Sequence, residues 1–369
     1  MKILVTVGTR PEIIRLSSII KALSDSNIFE LILVHTGQNY DYELNEVFFD
    51  DLGLGKPNYF LNAVMNTPVE TVGKCIIEID RVLDKEKPDA FLVLGDTNSC
   101  LTSYAAKRRK IPVFHMEAGN RCFDENVPEE INRRIVDSIA DINLTYSHQA
   151  KEYLLREGHC PQTTIVVGSP MFEVVNSVRE KLSSRVLVEN GLEKGNYMLL
   201  SFHRDENVSD KSVLTNVVEA ISELCDEFKL KCLFSVHPRT KKQLEKFGIS
   251  SDKIIFLKPL GYVDYLSLQI NSRVVLSDSG TINEESDILG FRAVNLRRTN
   301  ERPEASDFCV TPMSGTDKEY LKRTIQFVLM NKKFSSRMVE CYNRDNVSDV
   351  VLGTILSMTQ FVNYYKWRK

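Results

Sequence analysis

The sequence predicts an α/β protein made of two doubly wound domains facing each other across a cleft. Three observations lead there. Short apolar runs alternate with longer amphipathic ones from end to end. The short runs are continuous in Val, Ile and Leu, as strands covered on both faces of a parallel sheet must be. The alternation also starts afresh at residues 197–203, in a chain of 369 residues, a length that suits two domains.

In the first half the strand-like runs are "KILVTV" (2–7), "ELILVH" (30–35), "AFLVLG" (90–95), "IPVFHM" (111–116), "INLTY" (142–146) and "TIVVG" (164–168). Between them, "EIIRLSSIIKALSD" and "VETVGKCIIEIDRVLDK" repeat apolar positions at steps of three and four, the helical period. The second half repeats the scheme with "YMLLSFH" (197–203), "KCLFSVH" (231–237), "KIIFLKP" (253–259), "RVVLSD" (273–278) and "AVNLR" (293–297). A polar segment around "SSRVLVENGLEKGN" is expected to separate the halves. The expected domains are 1–170 and 171–348, with the last helix, 349–369, crossing back onto the first.

Composition narrows the function classes. With 43% apolar residues the chain can bury a full core, and its net charge of −3 argues against a general nucleic-acid or membrane partner. No apolar run approaches the roughly 18–20 residues of a membrane span. Eight cysteines lie far apart with no C-x-x-C and no zinc spacing, so they are expected to be reduced thiols, mostly in core positions, of a cytoplasmic protein without a metal.

Ligands of open parallel sheets bind beyond the carboxyl ends of the strands, so the loops after each strand carry the functional reading. "GTRPEIIR" (8–15) puts Arg10 in a first helical turn and Arg15 beyond it; guanidinium forks match phosphate oxygens, although surface ion pairs would use the same residues. "GDTNSC" sets Asp96 at a strand end, where it could also cap a helix. "HMEAGNRCFDENVPEEINRR" brings Glu117 and Glu129 to one loop and helix start. Carboxylates converging with Asp96 would raise one another's pKa, as acid/base work near neutral pH requires. Structural Arg/Glu pairing within "EEINRR" explains the same residues equally well. "SDSGTINEE" (277–285) has the form of an anion seat: Ser279, Gly280 and Thr281 would offer backbone N–H groups at a helix start, with Glu284 or Glu285 placed for ribose hydroxyls. An ordinary acidic N-cap would look alike. His203, near Arg204 and Asn207, could bind a diphosphate, while His237 is expected to be structural.

The motifs "GTRPE", "TGQ", "GDT", "EAGNR", "PEEINR", "HR.EN", "DSG...EE" and "ERPEA" stand in the order and spacing of the non-hydrolysing UDP-N-acetylglucosamine 2-epimerases, which the chain resembles from residue 3 to about 317. The resemblance implies a GT-B-like pair of Rossmann-like domains, usually a homodimer, with the active site in the interdomain cleft. By that resemblance Asp96, Glu117 and Glu129 match the acid/base carboxylates. Arg10 and His203 match diphosphate-binding positions, Ser279 and Gly280 the phosphate seat, Glu285 the ribose-binding glutamate, and Arg302 an arginine facing the nucleotide. The implied chemistry eliminates UDP to a 2-acetamidoglucal and adds it back after protonation from the other face. Leaving of UDP makes an otherwise inert C2–H bond breakable, and neither metal nor redox cofactor is needed.

Departures from the family pattern are informative. Arg15 stands where a lysine is usual, Asn39 where "TGQH" has histidine, and Thr281 where "DSGG" has glycine. The set "HTGQNYDYEL", "LGDTNSC" and "HMEAGNRCFDENVPEEINR" is similar to a branch of capsule and O-antigen synthesis that acts on UDP-2-acetamido-2,6-dideoxy-L-hexoses. UDP-GlcNAc/UDP-ManNAc is the alternative substrate pair. Rival functions are a glycosyltransferase of the same architecture, a non-catalytic UDP-sugar binder and a hydrolysing epimerase.

Overall fold

The computed structural model describes residues 1–37, 49–236, 238–258, 260–331 and 339–369. Asn39 and His237, both singled out from the sequence, lie outside the described residues. The chain divides into two compact units. The first comprises Met1–Ser177, Glu301–Pro303 and Glu340–Lys369, and the second Val178–Asn300 and Glu304–Val339.

The first unit holds a seven-stranded sheet of β1 (Lys2–Val7), β2 (Glu30–His35), β3 (Tyr59–Phe60), β4 (Ala90–Leu94), β5 (Val113–Met116), β6 (Ile142–Thr145) and β7 (Thr164–Val166), in the order β3-β2-β1-β4-β5-β6-β7. Every pairing is parallel. Alternation of side chains sends Leu4, Phe91, Val93 and Val113 into a core on one face, while Ile3, Val5, Leu92 and Phe114 are buried on the other. That two-sided burial is why the strands read as unbroken apolar runs. β3 has no counterpart in the sequence reading, because two residues are too few to show a period; Phe60 there stacks on His35 with centroids 4.8 Å apart.

Helices of this unit begin and end where local chemistry directs. Pro68–Glu86 starts in a capping box, Thr67 accepting from the Glu70 N–H and Glu70 accepting from Thr67, and stops at Lys87 in the left-handed conformation. The helix Val347–Val362 packs against the helix Arg10–Ser24.

The second unit repeats the plan with β8 (Tyr197–Ser201), β9 (Lys231–Ser235), β10 (Ile254–Leu257), β11 (Val274–Ser277) and β12 (Ala293–Asn295), all parallel in the order β10-β9-β8-β11-β12. Leu200, Phe202 and Phe234 face one core, and Leu199, Leu233 and Val275 the other. The polar segment expected to part the halves contributes to this second core instead. Val186 and Leu187 are buried in it, because two apolar residues on the short helix Arg185–Glu189 suffice to anchor a charged stretch.

Each sheet reverses its strand order once, between β1 and β4 in the first unit and between β8 and β11 in the second. At such a switch point two neighbouring exit loops diverge to opposite faces and leave a crevice. The loops in question are Gly8–Arg10 and Gly95–Thr97, then Phe202–Arg204 and Asp278–Thr281.

Candidate active site

In the first unit, register sets the carboxylates. Leu94 pairs with Met116, so Asp96 and Glu117 leave adjacent strands almost level. The Asp96 side chain is 18% exposed, and the Arg133 guanidinium grips its Oδ2 through Nη2 at 2.6 Å and Nε at 3.0 Å. Burial pushes its carboxyl up to about 6; Arg133 works against the rise, and Glu117, Glu129 and Glu301 add to it.

Glu117 has the opposite fate. Arg15 Nη1 lies 2.8 Å from its Oε2, and Arg302 Nη2 lies 3.1 Å from its Oε1. Burial would raise this carboxyl, but the two guanidinium groups outweigh it and hold the group below the ordinary carboxylate range. The sequence led us to expect that clustered carboxylates would all rise together. Glu117 does not, because two cations from distant stretches of chain close on it. Its φ of 64° is also in the left-handed region, a costly conformation for a side-chain-bearing residue and one that clusters at functional sites.

Glu129 sits half-buried in the first turn of the helix Pro128–Ile139, near enough to Asp96 to raise it. Its neighbour Glu130 is structural: fully buried, it accepts from the Cys122 N–H at 3.0 Å and pairs with Arg133 and Arg134. The structural reading of "PEEINRR" is thus met by Glu130, which pairs with both arginines of the motif. Arg10 opens the helix Arg10–Ser24 at the exit of β1, half-buried, and Arg15 is buried one turn on. Arg302, expected to face a nucleotide, is 1% exposed between Glu117 and the Tyr146 ring, 5.7 Å from its centroid.

In the second unit Asp278 organises the switch point. Fully buried, its carboxylate accepts from the N–H groups of His203 and Arg204, the latter at 2.9 Å, and from Asn207 Nδ2 at 3.2 Å. His203 Nδ1 lies 3.1 Å away, and its side chain is 45% exposed. Burial opposes charge on Asp278, yet these donors together hold its pKa below the usual value. The expected seat of backbone N–H groups is built differently in detail. Ser279 N–H donates to Ser277 Oγ at 3.0 Å, and Thr281 N–H donates to Ser279 Oγ at 3.3 Å. The helix Ile282–Leu289 begins behind them without a side-chain cap. Gly280 is half-exposed, and Glu285, 3% exposed, accepts from Gln269 Nε2 at 2.8 Å.

The structure thus gathers Asp96, Glu117, Glu129, Arg15 and Arg302 in the first unit. His203, Ser279, Gly280, Thr281 and Glu285 gather in the second. Residues missed from the sequence are Glu12, Arg133, Glu301 and Asp278. Glu12 did carry a signal, the T-x-x-E spacing from Thr9, whereas Asp278 reads as an ordinary strand-end aspartate. Among the described residues no group of His, Cys, Asp and Glu could hold a metal ion, and no helix is long and apolar enough to cross a membrane.

Residues 21–356 match the sequence profile of the UDP-N-acetylglucosamine 2-epimerase family. The UDP-N-acetylglucosamine 2-epimerase of Methanocaldococcus jannaschii is 40% identical over 343 residues, 90% of this chain and 93% of that protein. A crystal structure of the M. jannaschii enzyme with UDP-GlcNAc and UDP superposes with a TM-score of 0.89 at 36% identity, covering 97% of this chain and all of that one. A UDP-N-acetylglucosamine 2-epimerase structure from Rickettsia bellii gives a TM-score of 0.91 at 42% identity over the whole of both chains. The UDP-2,3-diacetamido-2,3-dideoxy-D-glucuronate 2-epimerase of Pseudomonas aeruginosa is 34% identical over 303 residues, 82% of this chain and 84% of that protein.

Proposed function

The chain belongs to the UDP-N-acetylglucosamine 2-epimerase family, isomerases acting at C2 of a UDP-linked sugar, and from that premise we propose that it inverts a UDP-2-acetamido sugar by eliminating and re-adding UDP. A carboxylate takes the C2 proton while the C1–O bond breaks, and both of that bond's electrons leave with UDP. The 2-acetamidoglycal that remains has a C1=C2 double bond. It is protonated at C2 from the opposite face as UDP oxygen rejoins C1.

The observation that carries this reading is the divergence of Asp96 and Glu117. A proton that must move both ways is best handled by a group titrating near the working pH, and Asp96, at about 6, is suited to it. Glu117, kept ionised between Arg15 and Arg302, offers a fixed negative charge where positive charge develops at C1. Glu129 is the second acid/base carboxylate for the other ring face. Arg10, His203 and the Ser279–Gly280 turn stabilise the departing diphosphate, and Glu285 takes the ribose hydroxyls. The product serves surface-polysaccharide synthesis. The 6-deoxy-L series is the favoured substrate, on the strength of the "HTGQNYDYEL" and "HMEAGNRCFDENVPEEINR" stretches.

The test is turnover in D2O followed by NMR, with UDP-GlcNAc and with a UDP-2-acetamido-2,6-dideoxy-L-hexose. Deuterium should enter C2 of recovered UDP-sugar. Asp96→Asn, Glu117→Gln and Glu129→Gln should each lose about 100-fold or more in kcat. Recovery of undeuterated sugar, or wild-type turnover in all three folded variants, would refute the reading; free sugar accumulating beside UDP would indicate hydrolysis.

A homodimer is part of the proposal. Val69 and Ile77 on the helix Pro68–Glu86, Tyr104 on Ser103–Arg108, and Ile131 and Ile135 on Pro128–Ile139 are exposed, on helices that touch one another in sequence. Exposed apolar side chains on three successive helices fit a second copy of the same chain.

A further inference from the structure

One buried side chain ties together the two loops that leave β1 and β4, the strands at the first unit's switch point. Glu12 is 2% exposed. On the β1 side its Oε2 accepts from the Gly8 N–H and from the Thr9 hydroxyl, each at 2.9 Å. On the β4 side its Oε1 accepts from the Thr97 hydroxyl at 3.0 Å and from the Ser99 hydroxyl. Thr97 follows Asp96 directly, and Thr9 precedes Arg10. One carboxylate therefore sets the spacing between the helix that carries Arg10 and Arg15 and the loop that carries Asp96.

The local chemistry shows that this link displaces a simpler arrangement. Thr9 and Glu12 have the spacing of a capping box, in which the threonine hydroxyl would accept from the N–H of residue 12. Instead the Thr9 hydroxyl donates to the Glu12 carboxylate, and the helix start has no side-chain cap. A carboxylate in this position also loses its hydration, and burial raises its pKa despite the hydroxyl and amide donors around it. An apolar brace would hold two loops together without that desolvation. What an apolar brace lacks is direction: four donors from two loops fix the distance and the orientation of both.

We propose that Glu12 is a positioning residue for proton transfer at Asp96, holding the Gly95–Thr97 loop in register with the helix that supplies Arg10 and Arg15. It acts through Thr97 and Ser99 and does not itself exchange a proton with substrate. The proposal rests on the catalytic reading of Asp96 given above.

Its test uses the β4 side of the link, where the cuts are small. Thr97→Val with Ser99→Ala removes both hydroxyls. kcat should fall about tenfold with KM within about twofold, since binding groups elsewhere are untouched. The acid limb of the kcat–pH profile should move down toward the ordinary carboxylate range as a loosened Asp96 gains water. Thr97→Ser, which keeps the hydroxyl, should restore both kcat and the limb. Glu12→Gln should lose 10- to 100-fold in kcat with the same displaced limb. Wild-type kcat and profile in the Thr97→Val/Ser99→Ala enzyme would overturn the proposal, and so would a lower kcat with the limb unmoved, which marks a merely structural brace. Asp96→Asn in the same assay separates the two readings. If it is inactive while the hydroxyl variants behave as wild type, only the positioning role falls. If it turns over normally, the catalytic reading of Asp96 fails and the positioning role with it.

Discussion

At the scale of single residues, one acid group is set apart from its neighbours by the direction in which its surroundings move its pKa. Asp96 and Glu117 leave adjacent strands and share a neighbourhood, yet one carboxyl is raised to about 6 and the other is held low. Burial pushes both carboxyls up; on Asp96 one guanidinium opposes it while three glutamates add to it, whereas on Glu117 two guanidinium groups outweigh it. A pH dependence follows with a definite sign. If Asp96 must be ionised to take the C2 proton, kcat should fall as pH drops through about 6. Arg133 favours the ionised form, so Arg133→Gln should move this limb upward by about one pH unit. Rates of C2 deuterium exchange measured from about two pH units below the limb to about two units above it would show it. A limb that stays put or moves down in Arg133→Gln would remove Asp96 from this role.

At the scale of elements, the loop after β5 is the tightest constraint. Gly119 follows Glu117 by two residues with φ of 79°, and a Cβ there would lie 2.3 Å from the Ala150 carbonyl oxygen and 3.0 Å from Leu154 Cγ. Its N–H also faces both Asp137 oxygens at 3.3 Å. Neither the backbone conformation nor the space admits a side chain. Gly119→Ala should therefore destabilise the first unit by about 2–4 kcal/mol in urea unfolding. Gly353, in the helix Val347–Val362 with nothing near its absent Cβ, is the contrast: Gly353→Ala should stabilise by about 0.5–1 kcal/mol. Equal effects at the two sites would mean that the close approach of Gly119 to Ala150 is not real in solution. The spacing "EAGNRCF" hints at a turn through its glycine. The partner of that turn, the helix His148–Arg156, is thirty residues on and could not be read from it.

At the scale of the whole molecule, the same open parallel sheet is used twice, and each copy puts its polar loops at the switch point. The proposed dimer belongs to this scale, because its apolar face draws on three helices of one unit. Ile77→Asp combined with Tyr104→Lys should convert a species of twice the 42.2 kDa chain mass to the single-chain mass in light scattering. A wild-type protein that already scatters as one chain would dispose of the dimer. Sequence and structure agree on the architecture, an α/β, GT-B-like fold of two parallel sheets.

The sequence by itself determined every strand of the described residues but β3, the longer amphipathic helices it singled out, and the polar loops at the strand ends. Those follow from short unbroken apolar runs and from a helical period of three to four residues, signals that are local and survive without a partner in view. It also determined the family, because eight short motifs keep their order across both halves. Only the tertiary structure decided what the acids of those motifs are. Arg15 reaches Glu117 across 102 residues of chain, and the three-residue return Glu301–Pro303 delivers Arg302 to the same carboxylate. Charge state depends on burial and on distances through space, and neither is written in the order of residues along a strand exit.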